Sequence, residues 1–242
     1  MATLCLSRKT LLVFSVPLIL AAFAVPGVAE TAKGSPADGN VSTTQAYTAS
    51  DTVQQVNEAR AVVEKMKSDP EVKKLLQQAK GVFIVPTYGR GAWGIGVRAG
   101  EGVMLAQSDG KWSNPVFYNL GGFSIGLQGG AEAGSIAMLL MNEKAVNQFM
   151  TDNNFSLNAS AGLTLVNYTG KAQAAVGKGD VIVWADTKGA YAGATVGATD
   201  IHRDESDTQA FYKRTATARE ILGGAVTSSQ AEALKQALPT GK

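Results

Sequence analysis

The chain has 242 residues, of which 45% are hydrophobic and 17% are charged, with one cysteine and one histidine. This composition is typical of a folded globular protein and excludes intrinsic disorder, a collagen-like chain and a disulfide scaffold. A chain of this length buries roughly 70 to 75% of its unfolded surface, which is enough for one core without metals or cross-links. We therefore expect a single domain with short appendages.

The first 29 residues are typical of a secretory signal peptide. Arg8 and Lys9 precede an uncharged stretch at residues 11–25, and small residues follow at 27–29. We expect cleavage after Ala29 and export, so that the protein is periplasmic or secreted. The alternative is retention of residues 10–29 as an anchor, because that stretch is just long enough to cross a bilayer.

Cleavage after Ala29 would remove two of the 22 basic residues and none of the 20 acidic residues, so the mature protein would be neutral. A neutral protein has no overall positive field to attract nucleic acid, and only a local basic patch could bind an anionic surface. Cleavage would also remove Cys5, leaving no thiol for a disulfide, a soft-metal site or a nucleophile. We expect no nucleic-acid partner and no cofactor.

Residues 30–50 are small and polar with almost nothing apolar to bury, which predicts a flexible leader. Residues 51–67 repeat apolar side chains at spacings of three and four, which predicts an amphipathic helix. A second helix is expected to begin at Asp69-Pro70, with aspartate as the cap and proline in the first turn, and to end at Gly81. The single domain is expected to span residues 51–242.

After Gly81 the apolar period changes to two and short turns separate the segments, which predicts an antiparallel β meander. The clearest turns are residues 108–111 and 186–189. Helices are expected again at 142–150, 204–219 and 229–238. The predicted fold class is α+β, with an antiparallel, strongly coiled or barrel-like sheet of many short strands and with N-terminal and C-terminal helices. The predicted strands are 82–86, 92–98, 103–107, 112–120, 123–131, 136–141, 155–166, 180–185 and 190–199.

Glycines inside the predicted strands are unusual, because each one weakens a strand unless the backbone requires it. Sharp bends, close backbone packing or the approach of a ligand would each explain them, and bends and packing are the commoner cause. These glycines are Gly94, Gly96, Gly126, Gly129, Gly130, Gly193 and Gly197.

Two short motifs are tested against enzymatic functions. Residues 89–94 match the spacing of a dinucleotide-binding loop, but a strand pattern follows where that loop requires a helix. Residues 122–126 match a nucleophile elbow around Ser124, and Asp180 or Asp186 followed by His202 would complete the order of a serine hydrolase. The elbow also requires a helix, and the glycine-rich residues 125–134 disfavour one, so the serine hydrolase is kept as an alternative only.

The acidic segment 200–207 around His202 could hold a hard divalent cation. Its spacing matches no pattern of metal ligands, and Asp204 is better explained as the cap of a helix with Glu205 and Asp207 in its first turn. We expect no metal site.

The helices before the β body combine an apolar stripe with lysines, a pattern that suits a membrane surface. The alternative is a helix that packs on the sheet with its lysines in solvent. The candidate lipid-binding residues are Val62, Val63, Lys65, Met66, Lys67, Lys73, Lys74 and Lys80.

A set of short motifs in order resembles the SYLF lipid-binding domain over residues 51–212, followed by a C-terminal helical tail at 213–242. The motifs are Gln-Ala-Lys-Gly-Val-Phe-Ile-Val-Pro at 78–86, the glycine-rich 92–102, Lys-Trp-Ser-Asn-Pro at 111–115, the segments 126–132, 141–149 and 188–193, and Ala-Phe-Tyr at 210–212. The resemblance implies binding of phospholipid or phosphoinositide headgroups and no catalysis. It also implies actin binding in some eukaryotic members, which an export signal disfavours.

The sequence therefore predicts an exported, non-enzymatic SYLF-type protein that binds anionic phospholipid headgroups and associates peripherally with an envelope membrane. The first alternative is a structural or protein-interaction module of the cell envelope with a protein partner. The second alternative is the serine hydrolase that uses Ser124.

Overall fold

A computed structural model of the chain describes residues 48–90, 98–125, 133–168, 179–186 and 196–241. All of these residues belong to one compact unit. The predicted signal peptide and the leader up to residue 47 lie outside the described residues. So do most of the predicted strand 92–98, residues 126–131 of the strand 123–131, and the turn at 187–189.

Two helices open the described chain, and both follow the predicted apolar pattern. The first, α1, spans Ala49–Lys67, and a capping box between Thr48 and Asp51 closes its N-terminus. The second, α2, spans Pro70–Gln78. The Asp69 carboxylate caps α2 by accepting a hydrogen bond from the Glu71 amide at 2.9 Å.

Nine strands in the described residues form one strongly curled sheet with the order β6-β9-β4-β2-β1-β5-β8-β7, and β3 pairs with β2. All pairs are antiparallel except β7 with β8 at one edge. The fold class predicted from the sequence is confirmed. The strands are β1 Gly81–Arg90, β2 Arg98–Ser108, β3 Lys111–Trp112, β4 Val116–Ile125, β5 Ala133–Leu140, β6 Asn154–Leu157, β7 Leu165–Asn167, β8 Val181–Asp186 and β9 Val196–Arg203.

Both faces of the sheet are covered, which explains why the central strands are apolar at consecutive positions. Val82, Phe83, Ile84 and Val85 of β1 are all fully buried. One face packs with α1, α2 and the C-terminal helix α6 (Glu232–Ala237). The other face packs with α3 (Glu143–Thr151), with α5 (Ala218–Leu222) and with residues of β6.

The sheet is not the predicted simple meander. The strand β5 pairs with β1 and β8, whereas β4 lies between β2 and β9. The period of apolar residues indicates a strand but not its neighbours, and the partners depend on which edges the curled sheet leaves open. The prediction of two neighbouring strands at 112–120 and 123–131 was also wrong, because β4 runs through residues 116–125 without a turn.

Residues 112–115 join the sheet to the C-terminal helices. Trp112 Nε1 donates to the Pro239 carbonyl at 3.0 Å, and Asn114 Nδ2 donates to the Val226 carbonyl at 3.1 Å. Ser113 Oγ accepts a hydrogen bond from the Ala106 amide at 2.9 Å. This bond lies where the pairing register against β2 shifts by one residue between β3 and β4. This Trp-Ser-Asn-Pro motif therefore has a structural role, because it ties distant segments of the chain together.

Two predicted elements are interrupted in the structure, and a third ends earlier than predicted. The predicted strand 155–166 is divided by a 3-10 turn at Ala159–Ala161 that Asn158 caps. The predicted helix 204–219 ends as α4 (Glu205–Tyr212) because Lys213 takes a left-handed conformation with φ of 54°. Gly81 does not cap α2, which ends at Gln78. It begins β1, where a Cβ would lie 2.8 Å from the Met104 methyl group.

Candidate functional site

The apolar residues of the predicted lipid site lie inside the protein. Val63 and Met66 are fully buried, and Val62 is 6% exposed. They belong to the cluster that joins α1 to the sheet and to Leu234 of α6. In this conformation the three side chains stabilise the fold and are not available for insertion into a bilayer.

The two lysines at the end of α1 are engaged with other elements. The Lys65 ammonium pairs with the Asp186 carboxylate at the end of β8. Lys67 Nζ donates to the Ala237 carbonyl at 2.8 Å and pairs with Glu64 at 3.0 Å. These contacts hold both side chains along the body of the protein.

The three remaining predicted lysines, Lys73, Lys74 and Lys80, are exposed on α2 and its connection to β1. We call them the α2 lysines. Lys74 is 61% exposed and pairs with Glu71 at 2.8 Å. The opposite side of α2 is buried through Val72, Leu75 and Leu76, so the lysines stand on a fixed support.

A hydrogen bond to the sheet fixes the start of α2. The Tyr168 hydroxyl, which follows β7, donates to the Asp69 carboxylate at 2.5 Å. This bond stabilises the charged form and lowers the pKa of Asp69, whereas burial raises the pKa of Tyr168 to about 12. Asp69 therefore caps α2 and also holds the start of the helix, with its lysines, against the sheet.

Two of the α2 lysines line a polar groove of about 940 Å³. Lys74 and Lys80 meet there with Asp109 of the β2–β3 turn and Glu143 at the start of α3, and we call this concavity the α2 groove. Its other side chains include Gln77 and Gln107. A volume of this size falls in the range of ligand-binding pockets.

The acidic and amide side chains of the α2 groove carry no local sequence signal. Gln107, Asp109 and Glu143 lie far from α2 in the sequence and follow no local pattern. They meet because β1 pairs with both β2 and β5, which places the end of β2 and the start of α3 beside residue 80. The proximity of these side chains to α2 could have been predicted only from a known strand order.

A second groove, of about 590 Å³, lies near the N-terminus of α1 and contains the acidic residues Asp51, Glu58 and Glu101.

The Asp207 side chain of α4 is buried, and its Oδ1 atom has no hydrogen-bond partner among the described residues. Burial, followed by the nearby carboxylates of Asp204, Glu101 and Asp51, raises the pKa of Asp207 to about 7. This carboxyl group is therefore partly protonated near neutral pH.

The predicted hydrolase residues are not arranged as a nucleophile elbow. Ser124 lies within β4 and pairs with Gly197 of β9, so the serine itself stands in a strand and not at a turn. His202 lies five residues further along β9, which is about 17 Å at the rise of a strand. The geometry that the serine hydrolase alternative requires is absent at Ser124.

Asp204 is a helix cap, as the sequence predicts. Its Oδ1 atom accepts from the Asp207 amide at 2.9 Å, and its Oδ2 atom accepts from Asn119 at 2.8 Å. Within the described ranges, no group of three or more His, Cys, Asp or Glu residues is arranged to hold a metal ion. None of the helices in these ranges combines the length and hydropathy needed to cross a membrane.

The described chain is thus an α+β domain in which helices cover both faces of a curled sheet, with a mixed-charge groove at the end of α2. Residues 121–240 match the model of the Ysc84 family, described as a Las17-binding protein actin regulator. The chain carries a domain of this family, which is the Ysc84/SYLF family that the sequence motifs indicated.

Curated relatives are consistent with this assignment. The chain is 29% identical over 158 residues to Protein YSC84 of Saccharomyces cerevisiae, and 30% identical over 159 residues to LAS seventeen-binding protein 3 of the same species. Each match covers 63% of this chain and 34% of the yeast protein. SH3 domain-containing YSC84-like protein 1 of Bos taurus is 28% identical over 175 residues, which cover 68% of this chain and 49% of the bovine protein. The chain thus spans a third to a half of these relatives.

Proposed function

We propose that the protein is exported, is not an enzyme and binds phospholipid headgroups at a membrane surface through the α2 lysines. The observation that carries this proposal is the exposure of Lys73, Lys74 and Lys80 within eight residues on a rigidly packed support. The burial of Val62, Val63 and Met66 argues against insertion of the α1 stripe in this conformation. Binding is therefore electrostatic and takes place at the headgroup layer.

The expected affinity is modest. A lysine near an anionic membrane contributes about 1 kcal/mol, so three lysines contribute about 3 kcal/mol, less what Lys74 loses through its pairing with Glu71. Because α2 is already folded and fixed, no free energy is needed to order it on binding. Such binding depends on acidic lipid in the membrane and weakens as salt screens the charges.

The test is co-sedimentation with phosphatidylcholine vesicles with and without phosphatidylglycerol. The double variant Lys73→Glu/Lys74→Glu is expected to lose most binding to the acidic vesicles. The matched control is Arg214→Glu/Arg219→Glu, which makes the same change of charge beside α5 on the other face of the sheet. All proteins are compared in the same length of chain, so that any contribution of residues 1–29 cancels. Equal and negligible binding to both vesicles would reject the proposal.

The second candidate function is binding to a protein partner in the cell envelope. The name of one relative and the description of the family favour it, because LAS seventeen-binding protein 3 is named for a protein partner and the family is described as Las17-binding. A pull-down from envelope extract, combined with blank vesicle assays, would favour this function over lipid binding.

A further inference from the structure

The α2 groove contains charges of both signs. Lys74 already pairs with Glu71 at 2.8 Å, whereas the other charges of the groove form no direct pairs among the described residues. Lys80 and Glu143 form no ion pair within the described parts of the chain. Among the residues that the structure describes, the Asp109 carboxylate accepts only a long hydrogen bond from its neighbour Ser108, at 3.4 Å. Opposite charges therefore line one concavity while remaining too far apart to pair directly.

Three separate backbone elements hold these charges in place. Lys80 is fixed between β5 and β2, because its amide donates to the Leu140 carbonyl at 2.7 Å and its carbonyl accepts from the Gln107 amide at 2.8 Å. Asp109 lies in the tight turn between β2 and β3 with φ of 50°. Glu143 begins α3, which Asn142 caps by accepting from the Ala145 amide at 3.0 Å. The side chains can move, but their attachment points are fixed.

We propose that the α2 groove binds a phosphoethanolamine unit, with Lys80 at its phosphate and a flanking carboxylate, Asp109 or Glu143, at its primary ammonium. The inference rests on the proposed function, since that function supplies a phospholipid headgroup as one source of the unit. A molecule that carries both charges can pair with both sides of the groove, whereas a simple anion leaves Asp109 and Glu143 facing it. Because Lys74 already pairs with Glu71, the groove has no excess of positive charge that would favour a simple anion.

The lining also distinguishes a primary ammonium from a choline group. Carboxylates accept charge-assisted hydrogen bonds from N–H donors, and a quaternary ammonium has no such donor. Proteins bind quaternary ammonium groups with aromatic side chains, but the described residues that line the groove include no Phe, Tyr or Trp. The amides of Gln77 and Gln107 provide further polar contacts. We therefore expect phosphoethanolamine to bind in preference to phosphocholine.

The experiment is a titration of the full chain with soluble glycerophosphoethanolamine, followed by NMR or calorimetry, with glycerophosphocholine as the comparison. The ethanolamine compound is expected to bind at least about tenfold more tightly, because it forms charge-assisted hydrogen bonds that the choline compound lacks. Equal affinities for the two compounds, or no binding of either, would overturn the inference.

Variants locate the ammonium site. Glu143→Gln is expected to weaken binding of glycerophosphoethanolamine about tenfold and to strengthen binding of the anionic glycerophosphoglycerol, because the groove loses one of its negative charges. The matched control is Glu205→Gln, since both glutamates are exposed first residues of helices, and it should change neither affinity. Asp109→Asn is a second test, because asparagine tolerates the left-handed turn. Wild-type affinities in both groove variants would overturn the assignment.

Vesicles separate this inference from the proposed function. If phosphatidylethanolamine replaces half of the phosphatidylcholine, co-sedimentation should increase, and Glu143→Gln should abolish that increase. Binding to phosphatidylglycerol vesicles without any response to either ethanolamine compound would overturn the inference and leave the proposed function intact. Binding of glycerophosphoethanolamine without binding to any vesicle would support the groove as a site for a soluble phosphoethanolamine and reject the lipid surface.

Discussion

Two glycines of β2 lie at positions where neighbouring atoms leave no room for a side chain. Gly102 of β2 lies against β1, where a Cβ would come within 2.6 Å of the Phe83 ring and 2.7 Å of the Ile84 carbonyl oxygen. Gly100 is similar, since a Cβ there would lie 2.5 Å from Val85. At these two positions, close packing is the better of the explanations that strand glycines allow.

We expect Gly102→Ala to lower the free energy of unfolding by about 1 to 3 kcal/mol, because the Ile84 backbone cannot easily move away. Gly89→Ala in β1 is the matched control, since a Cβ there meets nothing within 4 Å. Urea unfolding of both variants measures the difference. Similar stabilities for the two variants would contradict the close-packing explanation.

The buried carboxyl group of Asp207 predicts a dependence of stability on pH. Its pKa rises from 3.8 in the unfolded chain to about 7 in the folded protein, so the folded state binds the proton more tightly. The contribution to stability is therefore fully present at pH below about 4 and is lost as the pH rises to about 7 and above.

We expect Asp207→Asn to stabilise the protein at pH 8 relative to the wild type and to have a much smaller effect at pH 4. Thermal unfolding at the two pH values measures this. Glu205→Gln on the same helix, an exposed position, should show no such difference between the two pH values. A stabilisation by Asp207→Asn of equal size at both pH values would contradict the explanation by charge.

At the scale of elements, α1 behaves as a structural helix. Its stripe packs against the sheet and α6, so Met66→Ala should lower the free energy of unfolding by about 2 to 5 kcal/mol. In contrast, Lys73→Glu/Lys74→Glu should leave stability nearly unchanged, because both side chains are exposed. Urea unfolding of the two proteins tests this contrast, and a Met66→Ala variant of wild-type stability would contradict the docking of α1.

The sequence predicts the end of an element well where all the residues that determine it lie close together in the chain. The end of α1 at Lys67 and the caps Asp69 and Asp204 follow from residues within one helical turn, whereas the start of α1 lies two residues before the predicted position. The break at Lys213 was missed because a left-handed lysine is uncommon and has no signal in the apolar pattern. The turn within 155–166 was missed because apolar residues lie on both sides of it, and only Asn158 marks the 3-10 cap.

At the scale of the whole molecule, the sequence predicted which lysines exist but not which ones are available. An amphipathic helix that docks on a sheet and one that binds a membrane have the same apolar period, so the period alone does not decide between them. Lys65 and Lys67 pair with residues far away in the chain, Asp186 and Ala237. These long-range contacts engage Lys65 and Lys67 with the protein body, which distinguishes them from the three α2 lysines.

The neutral charge expected for the mature protein predicts a specific response to salt. Because only a few lysines contact the membrane, raising the salt from 50 to 300 mM should release most of the protein from acidic vesicles. Co-sedimentation across this range, with sucrose at equal osmolarity as the control, measures the effect. Binding that persists unchanged in 300 mM salt would indicate apolar insertion instead.

The hydrogen bond from Lys67 to Ala237 has a consequence for biosynthesis. Helix α1 is completed among the first described residues, yet its apolar side is sealed partly by Leu234 and its neighbours near residue 237. The apolar face of α1 therefore stays exposed to solvent until nearly the whole chain has emerged from the ribosome. Such long-range packing slows folding and favours aggregation. A nascent chain that is cut short before residue 230 would keep that surface open and become a target for chaperones and proteases.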